Sequence, residues 1–346
     1  MFRPHTHERA TPRRAPTAVA TLVLLLPLLA ACSIKQLAIN KIGDALAGGG
    51  TTFSSDNDPE LVRQAVPFSL KLIESLLAEA PNHRGLLLAA SSGFTQYAYA
   101  YVQQDAERIE DRDFAEAERL RERARKLYLR ARDYGLRGLE LRHPGITQAL
   151  RQDPRATMRT VKREDVAFLY WTAASWGAAI SISKDNPDLI ADQVIVEALM
   201  DESLKLDETF ESGALHGFLI AYEGARQGAQ GDSADRARRH FHRAVELTGG
   251  QMASPFVSLA ENVAVSKQNR AEFESLLKRA IEINPDARPE WRLVNLIMQQ
   301  RARWLLEHAD LLFADGAENH FTPAPPLLMA PSESFSIAER FVRKEN

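Results

Sequence analysis

The run Val166-Ala167-Phe168-Leu169-Tyr170-Trp171-Thr172-Ala173-Ala174-Ser175-Trp176-Gly177-Ala178-Ala179 decides the fold. It is too long for a strand and has no alternating pattern, so a helix is expected over about 164–183. Bulky residues occupy every side of that helix. A helix that is apolar all round has to be buried among other helices. Small residues, Ala173, Ala174, Gly177, Ala178 and Ala179, let neighbours approach it closely. Two readings stand for Trp171 and Trp176: ordinary core packing, or lining of a ligand cavity.

Outward from this run the pattern stays helical, and no run of alternating strands is found. Asp58-Pro59-Glu60 reads as a helix start, with Asp58 as cap and Pro59 in the first turn. On the helix that follows, Leu61, Ala65, Leu72 and Leu76 mark one apolar face, with Val62, Val66, Ile73 and Leu77 beside it. Pro67 is expected to bend this helix or shift its start. A second helix is expected over about 84–104 and a third over about 113–142, stopped by His143-Pro144-Gly145. Between Asp105 and Asp133 nine acidic residues face nine basic ones. That balance describes a solvated helix laced with i,i+4 pairs, not a nucleic-acid surface, which would be one-sided. Tyr97, Tyr99 and Tyr101 cover several faces of the second helix. Core and surface packing, or a cavity lined by Tyr97 and Tyr101, both fit that placement.

Repeats are legible but ragged. Ala124, Tyr128 and Ala131 follow the small–bulky–small spacing of a tetratricopeptide repeat's second helix, and Ala237, Phe241 and Ala244 do so again. Ala280-Ile281-Glu282-Ile283-Asn284-Pro285 matches the end of such a repeat. Ala244 and Ala280 are 36 residues apart, close to the usual 34 or so. The expected fold class is therefore all-α, a divergent tetratricopeptide-like helical-repeat bundle or solenoid.

The N-terminus reads as an export signal. Arg3, Arg9, Arg13 and Arg14 precede an apolar run from Ala18 to Ala31. That run is shorter than the roughly 20 residues a membrane span needs. It ends in Leu29-Ala30-Ala31-Cys32, and Cys32 is the single cysteine of the chain. Cleavage before it would expose a thiol and an amine for acylation, so Cys32 is read as the lipidation site and membrane lipid as a partner. The residues after Arg13-Arg14 fit the twin-arginine pattern poorly. Ser33, where Asp would favour retention, leans the sorting toward the outer membrane. With its one cysteine lipidated, the protein has no disulfide and no cysteine-type zinc site. The expected organisation is a signal over 1–31, a lipidated N-terminus with a Gly-rich spacer over 32–57, a helical-repeat body over 58–315 and a Pro-rich tail over 316–346.

Chemistry-bearing patterns are absent. No His-Glu-x-x-His, Gly-x-Ser-x-Gly or phosphate loop occurs. His240 and His242, two apart on a helix, point to different sides and are read as a surface pair, not as metal ligands. A net charge of −3 and 26% charged residues give no reason to expect nucleic acid as a partner. No catalytic residue, metal or cofactor is expected, and an enzyme is the least favoured class.

Several stretches in order carry a family resemblance: Asp58-Pro59-Glu60-Leu61-Val62, Pro67-Phe68-Ser69-Leu70-Lys71-Leu72-Ile73-Glu74-Ser75-Leu76-Leu77, Leu127-Tyr128-Leu129-Arg130-Ala131-Arg132-Asp133-Tyr134, Tyr170-Trp171-Thr172-Ala173-Ala174-Ser175-Trp176-Gly177 and Arg301-Ala302-Arg303-Trp304-Leu305-Leu306. Behind a lipoprotein signal, the chain resembles the T-component family of TRAP (tripartite ATP-independent periplasmic) transporters from about Ile34 to Phe313. The resemblance implies a periplasm-facing lipoprotein with a solenoid-like body and a central pore or cleft. It implies a homotrimer, contact with the solute-binding protein, and a part in passing that subunit a small ligand. Tyr97, Tyr101, Tyr170, Trp171 and Trp176 are the candidate ligand or pore residues. The alternative is a general repeat scaffold for protein–protein interaction at the outer membrane.

Overall fold

The computed structural model describes residues 41–45, 52–226 and 228–313. The signal, Cys32, the Gly-rich spacer and the Pro-rich tail lie outside the described residues. All regular structure among the described residues is helical. We number the main helices α1 (Pro59–Glu79), α2 (Arg84–Tyr97), α3 (Gln104–Ile109), α4 (Phe114–Glu140), α5 (Val166–Ser181), α6 (Gln193–Leu206), α7 (Ala214–Tyr222), α8 (Ser233–Thr248), α9 (Ser254–Leu259), α10 (Arg270–Ile281) and α11 (Arg292–Glu307). None of the described helices is long and apolar enough to cross a membrane.

Helix ends follow local chemistry. The Asp58 carboxylate accepts hydrogen bonds from the Glu60 and Leu61 amides, each at 3.0 Å. It thereby satisfies amides that have no partner inside α1. Asp58→Ala is expected to cost about 1 kcal/mol, read as a lower urea midpoint with an unchanged slope. Asp113 caps α4 through the Glu116 amide at 2.9 Å. At the far end of α8, Gly249 takes a left-handed conformation with φ 59°, a geometry that glycine adopts without steric cost.

The expected faces of α1 need correction. Val62, Leu70, Ile73 and Leu77 are buried, but Leu61 is 56% exposed and Phe68 74% exposed. As the first main helix, α1 packs on α2 and touches α11, so one stripe is covered and the neighbouring apolar stripe faces outward. The helix runs through Pro67 from a start at Pro59. The second helix also differs from expectation: it passes through a π-turn, Ala98–Gln103, and continues as α3.

α5 is the centre of the first half, packed between α2, α4 and α6. Every residue from Val166 to Ala179 is buried, as its all-round apolarity requires. Two glycines of α4 set its approach. The Phe168 ring lies against Gly138, and Thr172 and Ser91 lie against Gly135. The small–bulky–small positions Ala124, Tyr128, Ala131, Ala237, Phe241 and Ala244 are all buried. In the second half, α7 packs on α8 and α9, and α9 and α10 pack on α11.

The two ends of the body meet. The Leu293 amide donates to the Ser54 carbonyl at 2.9 Å, and Arg292 Nη1 donates to the Ser55 carbonyl at 2.7 Å. These bonds hold the segment entering α1 against the start of α11.

Candidate functional site

A buried polar centre joins α3, α11 and the turn after α9. Two π-turns frame it: Ala98–Gln103 after α2, and Ala260–Ala264 after α9. A π-turn inserts a residue into the helical ladder and re-aims the side chains around it; such turns concentrate at functional sites. The first turn carries Tyr99, Tyr101 and Gln103, and the second carries Glu261, all four buried.

A continuous chain of contacts links these elements. Tyr128 Oη on α4 donates to Gln103 Oε1 at 2.6 Å. Gln103 Nε2 donates to Glu107 Oε1 on α3 at 3.0 Å. Glu107 pairs with Arg301 on α11. Arg301 donates through Nε and Nη2 to Glu261 Oε1, at 2.9 and 2.6 Å. The Arg301 guanidinium also lies 4.8 Å from the Trp304 ring centroid, a cation–π contact.

One buried cation thus sits between two carboxylates. Burial pushes the Glu261 carboxyl up to about 7, and the Glu107 charge adds to this while Arg301 opposes it. Burial alone would lower Arg301, but Glu107 and Glu261 hold its pKa above the ordinary arginine value. Near neutral pH, Glu261 can take up a proton and relieve the excess negative charge of the trio.

Two of the expected aromatic residues border this centre. Tyr97 and Tyr101 lie 5.8 Å apart between centroids. Arg63 of α1 donates to the Tyr101 carbonyl at 3.0 Å, pairs with Asp105, and stands 5.5 Å from the Tyr101 ring centroid. The buried Tyr101 hydroxyl has no hydrogen-bond partner among the described residues.

The other expected residues form a second group on α5. Tyr170 meets Trp171 edge-on at 4.9 Å and Phe210 at 5.4 Å. The Tyr170 hydroxyl and Trp171 Nε1 are buried without a hydrogen-bond partner among the described residues. Beside them the backbone is strained: Glu211 has φ 43° and Ser212 φ 57°, a region that costs a non-glycine residue roughly 1 kcal/mol or more. Glu211 is 5% exposed. Burial, and then the Glu211 charge, raise the Tyr170 pKa well above the usual value. Trp176 is separate; the Arg132 guanidinium covers its ring at 4.9 Å. The structure therefore pairs Tyr97 with Tyr101 and Tyr170 with Trp171, and puts Trp176 against α4.

Sequence reasoning missed the charges of the centre. A usable signal was present: Val294, Met298, Ala302 and Leu305 form the buried face of α11, and Arg301 lies on that same face. A charged residue in register with a buried stripe calls for a buried partner. The histidine reading also needs correction. His240 is no surface residue beside His242; it meets His216 of α7, Nδ1 to Nδ1, at 2.9 Å. Among the described residues, no group of three His, Cys, Asp or Glu side chains is placed to hold a metal ion.

Comparison with known proteins adds the family. A Treponema pallidum (strain Nichols) protein, recorded as uncharacterized, is 29% identical over 309 residues, covering 83% of this chain and 95% of its own. A family profile described as TRAP transporter T-component matches residues 55–313. That stretch takes in the helical body from before α1 to beyond α11, both π-turns and the Arg301 centre included, and the chain belongs to the TRAP transporter T-component family.

Proposed function

We propose that this protein is the lipid-anchored, periplasm-facing accessory of a TRAP-type transporter, holding the solute-binding subunit close to the membrane and passing it a small ligand. The observation that carries this reading is the family match across the whole helical body, residues 55–313. The role is one of transport, not catalysis. The body, 58–315, is a divergent tetratricopeptide-like solenoid that assembles as a homotrimer. Buried small–bulky–small positions support the repeat assignment. Cys32 carries the lipid, after removal of residues 1–31, and the outer membrane holds it; the tail, 316–346, follows the body. Tyr97 and Tyr101, and Tyr170 with Trp171 and Trp176, contact the ligand. Polar atoms of Tyr101, Tyr170, Trp171 and Trp176 that lack hydrogen-bond partners among the described residues support that role, because buried polar atoms ordinarily have partners.

The test is crosslinking in intact cells, followed by solubilisation and capture of this chain. Recovery of a solute-binding protein is the expected result. Recovery of outer-membrane β-barrel machinery in its place would overturn the reading in favour of a general scaffold.

A further inference from the structure

α7 and α8 meet across a pair of imidazoles. His216 Nδ1 and His240 Nδ1 lie 2.9 Å apart, with ring centroids 5.2 Å apart and a tilt of 40°. Each ring turns its other nitrogen toward a carboxylate. His216 Nε2 is 3.1 Å from Glu208 Oε1, and His240 Nε2 is 3.8 Å from Glu223 Oε1. Glu208 belongs to the turn before α7, and Glu223 closes α7 at its C-terminal end.

The geometry restricts where protons can sit. Ionised Glu208 only accepts, so the bond to it fixes a proton on His216 Nε2 and leaves His216 Nδ1 a bare acceptor. The facing His240 Nδ1 must then carry a proton; otherwise two lone pairs would oppose each other at hydrogen-bond distance. In the neutral pair His240 Nε2 is bare and faces Glu223. One proton from solvent, added at that Nε2, makes His240 an imidazolium that donates to His216 on one side and is drawn to Glu223 on the other. A second proton has only His216 Nδ1 to bind. Two N–H groups would then point at each other, and the contact must break.

We propose that His216 and His240 form a one-proton clasp between α7 and α8, which closes when His240 takes a proton and opens when His216 takes a second. The surroundings are charged but balanced. On α8, Arg243 donates to Glu208 at 2.7 Å, and Arg236 pairs with Glu223. Arg226, just beyond α7, reaches Glu223 at 3.2 Å and Asp201 of α6 at 2.7 Å. Glu197 of α6 accepts from Tyr222 at 3.2 Å. Glu261, in the π-turn packed on α7, is engaged with Arg301, and Glu211 lies toward Tyr170. α9, also packed on α7, has the sequence Ser-Pro-Phe-Val-Ser-Leu and brings no charge. Burial, and then the charge of His240, lower the His216 pKa against the pull of Glu208, so the opening step belongs to acid conditions. α7 follows directly on the strained bend that seats Phe210 against Tyr170, so its release reaches the aromatic pair of α5.

The test is a side-chain nitrogen NMR titration of histidine in the full mature chain, with hydrogen exchange followed in parallel. The expected result is two coupled steps, with His216 the lower. Exchange in α7 should rise about tenfold or more below the lower step, as local opening would allow. In His240→Gln the His216 midpoint should move up by roughly one pH unit, the scale of a lost like-charge neighbour. Independent one-step titrations with unchanged exchange in the unmodified protein would overturn the clasp without recourse to any variant. So would stoichiometric uptake of Zn²⁺ that shifts both Nδ1 signals together, which would make the pair a metal site.

Discussion

Arg301→Met is expected to cost about 3–5 kcal/mol of folding stability at pH 8, the usual scale when one partner of a buried ion pair is removed. Among the described residues Arg301 is the one cation ion-paired with Glu107 or Glu261, and it is 2% exposed. Methionine keeps the apolar stem against Trp304 but leaves both carboxylates buried without their counter-charge. The loss should be smaller at pH 5.5. Glu261 has its folded pKa raised to about 7 from 4.5, so its favourable contribution is complete below about 4.5 and disappears as pH rises through about 7. Urea unfolding of the parent should therefore show a stability component that declines over this window, and Glu261→Gln should flatten it. Adding Glu107→Gln and Glu261→Gln to Arg301→Met should recover most of the loss, because a neutral buried trio no longer needs a cation. A loss below about 1 kcal/mol at both pH values would show that the trio contributes no more than an exposed ion pair.

What could be read in the sequence was the part governed by neighbours in the chain. Asp58, Asp113 and Gly249 act locally, and each does in the structure what its residue type predicts. The apolar run of α5 settled its burial for the same reason. Leu61 was misplaced because a helix with apolar residues on two adjacent stripes does not reveal which stripe meets a neighbour; that depends on where α2 and α11 lie. The π-turns left no mark in periodicity, since one inserted residue displaces the pattern by less than a turn. Arg301 stood within a stretch that carried the family resemblance, yet its partners sit on α3 and in the second π-turn, far away in sequence. His242, two residues on, is the neighbour the sequence offers His240, whereas its partner is His216 on another helix. For Leu61, Arg301 and His240 the deciding contact is tertiary.

Gly138→Ala is expected to cost about 2–3 kcal/mol, near the upper end for overpacking a core. In an ordinary helix interior this change would stabilise by roughly 1 kcal/mol, so the expected sign is opposite to the local one. A Cβ at Gly138 would fall within the Phe168 ring. That ring cannot readily yield: it is 2% exposed, and the Arg84 guanidinium lies 4.6 Å from its centroid. Arg84 is itself held by the Gly138 carbonyl at 3.3 Å. Gly135→Ala should also destabilise, because its new Cβ meets Thr172 Oγ1 and Cβ and Ser91 Oγ, but by less, since these small side chains leave fewer atoms to displace than a ring does. Adding Phe168→Leu to Gly138→Ala should restore part of the loss by making room, which a general helix defect would not allow. Thermal unfolding of the four proteins checks the order; a neutral or stabilising Gly138→Ala would mean that α4 and α5 lie farther apart than described. Tyr170 and Trp171 lie two and three residues after Phe168 on α5, so a displaced α5 also carries the aromatic pair away from Phe210. For the proposed ligand role, loss of a bound ligand in Gly138→Ala, regained together with stability on adding Phe168→Leu, would tie the spacing of these two helices to it.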